Sequence, residues 1–122
     1  MARAVITVRA LDDYNKFGTE FDATALATAV NAADGAEFVM SGADHKYLVY
    51  ITNGASSAKA VTVKAGNGLQ GTADISVSLG AGKSTYVSLE SGRFKNVTGA
   101  DKGKVVITGE SADIKVAVFK LP

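Results

Sequence analysis

The sequence predicts an all-β fold, a single antiparallel β-sandwich of immunoglobulin-like or barrel-like form with about eight short strands. Three observations predict this class. The chain has 122 residues, of which 47% are hydrophobic and 20% are charged, and this suits one soluble domain. Apolar and polar residues alternate over short runs, as they do in strands with one buried face. Glycine, asparagine, aspartate and serine separate these runs at intervals of about 8–12 residues.

The first third of the chain is the least regular part. Residues 4–9 predict a strand, and residues 35–40 predict another. An alanine-rich stretch between them has apolar residues at helical spacing, namely Leu26, Ala29, Val30 and Ala33. Thr24 is suited to cap a helix there, and Gly35 is suited to end it. We therefore expect either one short helix near residues 24–33 or a tight loop.

The remainder of the chain predicts strands separated by glycine-rich turns. These strands lie at residues 47–52, 61–65, 75–79, 85–89, 104–108 and 114–120. Residues 109–113 have the length of a hairpin turn. Alternation in the second and third of these strands predicts buried positions at Val61, Val63, Ile75, Val77 and Leu79. We divide the chain into an N-terminal arm or edge strand, residues 1–21, and the β-sandwich domain, residues 22–122.

The composition excludes several kinds of site. Cysteine is absent and histidine occurs once, so the chain offers no disulfide, no thiolate zinc site and no multi-histidine metal site. The aspartates are widely spaced and form no D-x-D-x-D-G calcium loop. A catalytic histidine needs a partner that orients it, but in an extended segment His45 and its neighbour Asp44 point in different directions. We therefore interpret His45 as a solvated loop histidine. We therefore predict no catalytic residues, no cofactor and no metal ligand.

The charge of the chain indicates which classes of partner it can bind. A net charge of +1 gives no bulk attraction to nucleic acid or to a membrane, so we expect neither as a partner. No apolar run approaches the roughly 20 residues that cross a bilayer, and the run near the start is too short for a signal-peptide core. The first 45 residues are net acidic and the rest are net basic. This asymmetry would allow copies to dock head to tail, unless folding intermixes the two halves.

One glycine motif invites an enzymatic interpretation. Residues 66–71 fit G-x-G-x-x-G, they follow a predicted strand, and Glu90 lies about 20 residues further on, as in dinucleotide-binding folds. Such folds require a helix directly after the motif, to hold the pyrophosphate at its N-terminus. Residues 72–79 alternate as a strand does, which favours a glycine-rich turn or bulge instead.

Residues 90–96 combine cations with an aromatic ring in a predicted loop. Arginine and aromatic residues are enriched at interface hot spots, so we predict protein-interaction residues at Arg93, Phe94 and Lys95. Two alternatives are that Phe94 fills the end of the sandwich beside solvated cations, or that it stacks on nucleic acid bases. Arg3 and Arg9 flank the N-terminal strand and complete the set of candidate interaction residues.

Several short motifs together resemble a known group of proteins. They are the turn and strand at residues 31–38, Gly42, the strand at 47–53 that ends in Asn53, the V-T-V strand within 60–66, and residues 75–79, 81–83, 93–94 and 114–121. In this order they resemble the small β-sandwich virion proteins of tailed bacteriophages, over roughly residues 26–121. Asp34 stands where the family pattern has asparagine, which leaves the turn type there open. Residues before Leu26 match nothing in the pattern.

The resemblance implies a non-enzymatic structural component of the phage particle, most like a capsid decoration (head auxiliary) protein. It implies binding to the outer surface of the capsid and stabilisation of the shell. The implied partner is the major capsid protein, with further copies of the chain itself as a second possibility. The implied location is the capsid surface of the virion, after synthesis in the host cytoplasm.

An alternative function is a tail-associated or adhesin-type sandwich that binds carbohydrate or a partner protein. A sugar platform needs exposed aromatic rings, and the tyrosine candidates are Tyr14, Tyr47, Tyr50 and Tyr86. Tyr47 and Tyr50 are separated by an odd number of positions, so in a strand they face opposite sides of the sheet. Only one of these two can then contribute to a platform.

We also predict that residues 1 to about 21 form an arm that contacts a neighbouring subunit or the capsid. Val5, Ile6 and Val8 make this segment apolar enough to add a strand to an exposed sheet edge. The alternative is that the strand belongs to the domain's own sheet.

Overall fold

The computed structural model describes residues 3–21 and 27–122, and it confirms the β-sandwich. Its ten strands are β1 (Ala4–Val5), β2 (Val8–Ala10), β3 (Thr28–Ala29), β4 (Ala36–Val39), β5 (Tyr47–Asn53), β6 (Lys59–Val63), β7 (Ile75–Leu79), β8 (Ser84–Val87), β9 (Lys104–Gly109) and β10 (Ile114–Lys120). A 3-10 turn at Asp44–Lys46 and the one-turn helix α1 (Ser91–Phe94) are the helical segments of the described residues. Neither is long and apolar enough to cross a membrane.

The strands form two sheets that enclose one core. The first sheet has the order β1-β4-β9-β6-β7, and the second has the order β2-β10-β5-β8, with β3 also paired to β10. In β5 and β6 the inner side chains alternate with more exposed ones, and Val49, Ile51 and Val61 are almost fully buried. In the central strands β9 and β10, Val106 and Ala117 on the outer faces are buried as well. The alternation expected from the sequence is therefore the main determinant of the core.

Two edge strands are parallel, whereas the sequence predicted an antiparallel sandwich. β1 pairs parallel with β4 in the first sheet, and β2 pairs parallel with β10 in the second. No hairpin ties this segment to either partner strand, so hairpin geometry does not require antiparallel pairing. The segment predicted as one strand at residues 4–9 is thus two strands, because the chain crosses between the sheets and buries Ile6 in the core.

The N-terminal segment thus pairs with the domain's own sheets as far as residue 10. This arrangement corresponds to the edge-strand alternative for that part of residues 1–21. Residues 12–21 extend beyond it and are exposed. A contact of this segment with a neighbouring subunit or a capsid stays a prediction.

The helix expected near residues 24–33 falls partly outside the described residues, which omit 22–26. From residue 27 onward the chain forms β3 and a tight turn instead. The Val30 amide donates a hydrogen bond to the Ile114 carbonyl over 3.0 Å, and the Val30 side chain is buried in the core. The Asn31 side chain accepts hydrogen bonds from the amides of Ala33 and Asp34, at 2.9 and 3.1 Å. These bonds replace a helical ladder with an asparagine-centred turn.

Gly35 ends this turn with a positive φ of 84°. A Cβ atom on Gly35 would lie 2.4 Å from the carbonyl oxygen of Ile107. The position therefore requires glycine both for its backbone conformation and for its close approach to β9.

Val77 departs from the predicted buried set. Val61, Val63 and Leu79 are buried and Ile75 is partly buried, but the Val77 side chain is 42% exposed. Val77 lies opposite Val61 on the inner face of the sheet. It stays open to solvent because β7 is the last strand of the first sheet, and no strand within residues 3–21 or 27–122 lies beyond it.

Candidate interaction surfaces

A groove lies where the N-terminal segment runs along the edge of the second sheet. The Leu11 amide donates to the Lys120 carbonyl over 2.9 Å, so the chain follows β10 past the end of β2. The groove has a volume of about 430 Å³, and Leu11, Phe21 and Phe119 are among its lining residues. We call it the N-terminal groove.

Arg9 covers the aromatic part of this groove. It lies opposite Phe119 in the β2–β10 pairing. Its guanidinium carbon is 4.7 Å from the centroid of the Phe21 ring, and the Phe21 and Phe119 ring centroids are 6.5 Å apart. Arginine and aromatic rings are enriched in protein interfaces, and here the cation lies beside a tilted pair of rings.

Residues 12–21 form an exposed segment, which we call the aromatic loop. Its residues Gly18, Thr19 and Phe21 line the groove, whereas Tyr14 lines a separate cavity beside His45. Phe17 is fully exposed, Tyr14 is 71% exposed, and Phe21 is also exposed. Three exposed aromatic side chains within one short segment are a recognised sign of a binding surface. The sequence predicts an arm at this segment, without a specific role for Phe17 or Phe21. The signal that was available is the spacing of three aromatic residues in a run otherwise rich in charged and polar residues.

Arg3 has a different role from Arg9. Its guanidinium donates a hydrogen bond to the Asp101 carboxylate over 2.8 Å and lies 3.7 Å from the Glu37 carboxylate. The Lys104 ammonium also pairs with Glu37, at 2.8 Å. The hydrogen bond with Asp101 raises the pKa of Arg3 and lowers that of Asp101. Arg3 therefore holds the N-terminus to the first sheet, and it is not part of the groove that contains Arg9.

The segment with Arg93, Phe94 and Lys95 is only partly available to a partner. Residues 91–94 form α1, and the Ser91 amide donates to the Asp44 carboxylate over 2.9 Å. This turn directs Phe94 into the core, where it is 4% exposed, and places the Arg93 guanidinium 5.1 Å from its ring centroid. The burial argues against a direct contact between Phe94 and a partner. Arg93 and Lys95 remain half-buried at the surface.

The five candidate interaction residues thus lie in three places rather than on one surface. Arg3 belongs to the ion pairs of the first sheet, and Arg9 belongs to the N-terminal groove. The segment 93–95 lies against the glycine-rich loop, where the Gly66 amide donates to the Arg93 carbonyl over 2.9 Å.

The glycines of the G-x-G-x-x-G motif support close packing of the backbone. A Cβ atom on Gly66 would lie 2.4 Å from the Lys95 carbonyl oxygen, and one on Gly71 would lie 1.9 Å from the Gly66 carbonyl oxygen. The strand expected after the motif is confirmed as β7. The helix N-terminus that a dinucleotide fold places there is replaced by this strand.

His45 lies exposed in the 3-10 turn Asp44–Lys46. The carboxylate of its neighbour Asp44 accepts a hydrogen bond from the Ser91 amide on α1. Within residues 3–21 and 27–122, no group of three or more histidine, aspartate or glutamate side chains is placed to hold a metal ion.

A second surface is the outer face of the second sheet. Tyr47 and Tyr50 face opposite sides of β5, as expected: Tyr47 is buried and its hydroxyl donates to the Ser41 carbonyl over 2.9 Å. Burial raises the pKa of Tyr47, but its hydrogen bonds with Ser41 and the nearby Lys120 ammonium outweigh this effect and lower the pKa. Tyr50 points outward and lies directly opposite Tyr86, which is 73% exposed.

Comparison with family models, with curated proteins and with solved structures gave no match. The function is therefore inferred from these surfaces and from the residues that resemble the phage virion proteins.

Proposed function

We propose that this protein is a non-catalytic structural protein of a tailed-phage particle that binds the outer surface of the capsid and stabilises it. In this proposal the partner is the major capsid protein, and the protein resides on the virion surface after synthesis in the host cytoplasm. The family resemblance of residues 26–121 motivates the proposal. The observation that carries it is the aromatic loop beside the N-terminal groove.

The chemistry of this surface suits docking on another protein. Tyr14, Phe17 and Phe21 are exposed on one loop, and Phe21 also lines the groove, whose lining combines apolar side chains with the cations Arg9 and Lys120. Burying one such aromatic side chain contributes about 2–3 kcal/mol. A few such residues are enough to act as the hot spot of an interface.

The rest of the molecule supplies a rigid support for that loop. β1 and β2 hold the segment before the loop to both sheets, and Arg3 fixes its start to Asp101. A surface that is ordered before docking loses little conformational entropy on binding. A protein that binds the assembled shell more tightly than its separated subunits stabilises the shell by mass action.

We expect the purified protein to co-sediment at micromolar concentration with capsids that lack it. Replacing Phe17 with serine should weaken binding roughly 30-fold, since a central aromatic hot spot contributes about 2 kcal/mol or more. The measurement is the bound fraction across a titration, with the melting temperature of each variant as a check on folding.

Leu69→Ser is the matched control, because Leu69 is also fully exposed but lies on the glycine-rich loop, away from the groove. It should bind as the wild type does. Absence of co-sedimentation by the wild-type protein would overturn the proposal. An equal loss from Phe17→Ser and Leu69→Ser would remove the aromatic loop as the contact.

Carbohydrate binding is a second candidate function, favoured by the outer face of the second sheet. Tyr50 and Tyr86 lie opposite each other on β5 and β8. The Tyr50 hydroxyl donates to Ser84 Oγ over 3.0 Å, and Ser84 Oγ donates to Thr52 Oγ1 over 2.8 Å. Aromatic rings beside linked hydroxyl groups are a composition that suits a sugar, which presents C–H faces and hydroxyls together.

A glycan array tests this candidate. If it is right, the wild-type protein binds at least one glycan class, and Tyr86→Ala reduces the affinity by about tenfold or more. Tyr14→Ala, at an equally exposed tyrosine outside this face, should leave glycan binding unchanged. An array without hits removes this function.

A further inference from the structure

Among the described residues, the edge strand β7 has one side that pairs with no other strand and lacks the usual protections of an edge strand. β7 pairs with β6 and is the last strand of the first sheet. Its residues, Ile-Ser-Val-Ser-Leu at positions 75–79, include no charged residue and no proline. Natural edge strands are commonly protected by lysine, proline, a bulge or very short length. The opposite edge of the same sheet follows this rule, because β1 has only two residues.

The backbone groups on the open side of β7 belong to its two serines. On β6, the Ala60 carbonyl accepts from the Glu110 amide and the Lys64 amide donates to the Val106 carbonyl, so these residues face β9. Backbone direction alternates along a strand, so Val61 and Val63 face β7 and bond to Val77 and Ile75. The amide and carbonyl groups of Ser76 and Ser78 consequently point away from β6.

The exposed side chain on this edge is also unusual. Val77 is on the same face as its partner Val61, which is buried in the core. Its own exposure of 42% results from the missing neighbour beyond β7. A further strand placed along β7 would therefore cover apolar surface as well as pair four backbone groups.

The pattern of apolar and polar residues in β7 is the same in both chain directions. In an antiparallel pair of two β7 strands centred on Val77, Ser76 of each copy lies opposite Ser78 of the other, and Ile75 lies opposite Leu79. The outward backbone groups are those of Ser76 and Ser78, so the two serine pairs supply about four hydrogen bonds. Val77 then meets Val77 of the second copy at the closely spaced, non-hydrogen-bonded position on the two-fold axis.

The flanking residues are compatible with this register. Asp74 would lie opposite Gly80 of the second copy, so the two Asp74 carboxylates do not meet. Asp74 is already bound within its own chain, to the Lys64 ammonium over 2.7 Å and to the Ala65 amide.

We propose that β7 is a self-association edge, which pairs antiparallel with β7 of a second copy around Val77 and joins two five-stranded sheets into one. The short strands bury less surface than a standard interface, so the dimer is weak and depends on protein concentration. This proposal is independent of capsid binding, because β7 lies at the opposite edge of the sandwich from β1 and β2.

Sedimentation equilibrium over a range up to millimolar concentration tests the dimer. We expect the wild-type protein to dimerise and V77K to raise the dissociation constant at least tenfold, because it places two ammonium groups at the two-fold axis. V5K is the matched control: Val5 is exposed on β1, the edge strand at the far side of the same sheet, and V5K should dimerise as the wild type does.

A cross-linking variant tests the register and does not depend on the folding of V77K. The natural chain has no cysteine, so V77C can form a disulfide only between two copies. Under mild oxidation V77C should cross-link faster than V5C, because non-hydrogen-bonded pairs bring Cβ atoms to about 4.5–5.5 Å. A wild-type protein that stays monomeric at millimolar concentration, or equal cross-linking of V77C and V5C, would overturn the proposal.

Discussion

Replacing Asn53 with alanine is expected to lower the free energy of unfolding by about 3–4 kcal/mol. Asn53 is fully buried at the end of β5, and apart from Tyr47 it is the one buried side chain with a polar group among the described residues. Its Nδ2 group donates to the carbonyls of Ser57, Leu79 and Gly80, at 3.0, 3.0 and 3.2 Å. Its Oδ1 atom accepts from the Ala55 amide over 2.9 Å.

The size of this effect follows from the number of groups that lose a partner. Alanine would leave the Leu79 carbonyl without a partner in the buried interior, where an unsatisfied group costs about 1–3 kcal/mol. It would also remove the bonds to the more exposed backbone groups of Ser57, Gly80 and Ala55, each of which contributes about 1 kcal/mol. The same side chain links the end of β5 to the loop after it and to the turn between β7 and β8. Chemical denaturation measures the free energy, and a fall of about 10–15 °C in melting temperature should accompany it.

Asn67→Ala is the matched control for Asn53→Ala. Asn67 also bridges backbone groups: its Oδ1 accepts from the Val97 amide over 2.7 Å, and its Nδ2 donates to the Thr98 carbonyl over 3.0 Å. Asn67 is exposed, so water replaces these bonds and we expect a loss below about 1 kcal/mol. Similar losses from the two substitutions would contradict the assignment of Asn53 as the internal link between β5 and its neighbours.

The strands after residue 46 were predictable because their signal is local. Alternation over a few residues indicates both that a strand forms and which side chains face the core, and β5, β6, β9 and β10 lie close to their predicted positions. The role of Asn53 could not be predicted from a local pattern of this kind. Asn-Gly at 53–54 indicates the end of a strand, but the carbonyls that Asn53 binds are up to 27 positions away.

In the first third of the chain, a tight turn forms where the sequence left a short helix or a tight loop open, and two strands form where it predicted one; both outcomes have a common physical cause. Ala29, Val30 and Ala33 have helical spacing, but pairing with β10 and burial of Val30 override this local preference. Residues 4–9 have the composition of one strand, yet the chain leaves one sheet and joins the other between Val5 and Val8. A crossing between sheets depends on where the sheets lie, and local periodicity does not contain that information.

The candidate interaction residues were identified by type, and their positions depended on distant partners. Arg3 and Arg9 appeared equivalent at the two ends of a strand. Arg3 is bound to Asp101, 98 positions away, whereas Arg9 lies on Phe21 near the aromatic loop. Phe94 has the composition of a hot spot, but its one-turn helix directs it inward. The tertiary structure therefore decides which of the cations are available to a partner.

The second large effect is expected at the glycine-rich loop, where Gly66→Ala and Gly71→Ala should each lower the free energy of unfolding by about 3 kcal/mol. The added methyl group of Gly71→Ala would lie 1.9 Å from the Gly66 carbonyl oxygen, and that of Gly66→Ala would lie 2.4 Å from the Lys95 carbonyl oxygen. Both contacts are with backbone atoms, so a side-chain rotation cannot relieve them. The measurement is chemical denaturation of the purified variants.

Gly68→Ala separates this packing role from a general need for glycine in the motif. The nearest atom to its added methyl group is a Val97 side-chain carbon at 3.5 Å, an ordinary contact, so we expect a change within about 0.5 kcal/mol. Gly66→Ala should in addition disturb the end of α1, since Gly66 is bonded to Arg93 and lies against Lys95, and thereby loosen the burial of Phe94 between them. Near-wild-type stability of Gly66→Ala and Gly71→Ala, or an equal loss from Gly68→Ala, would show that the three glycines do not act through the backbone contacts described.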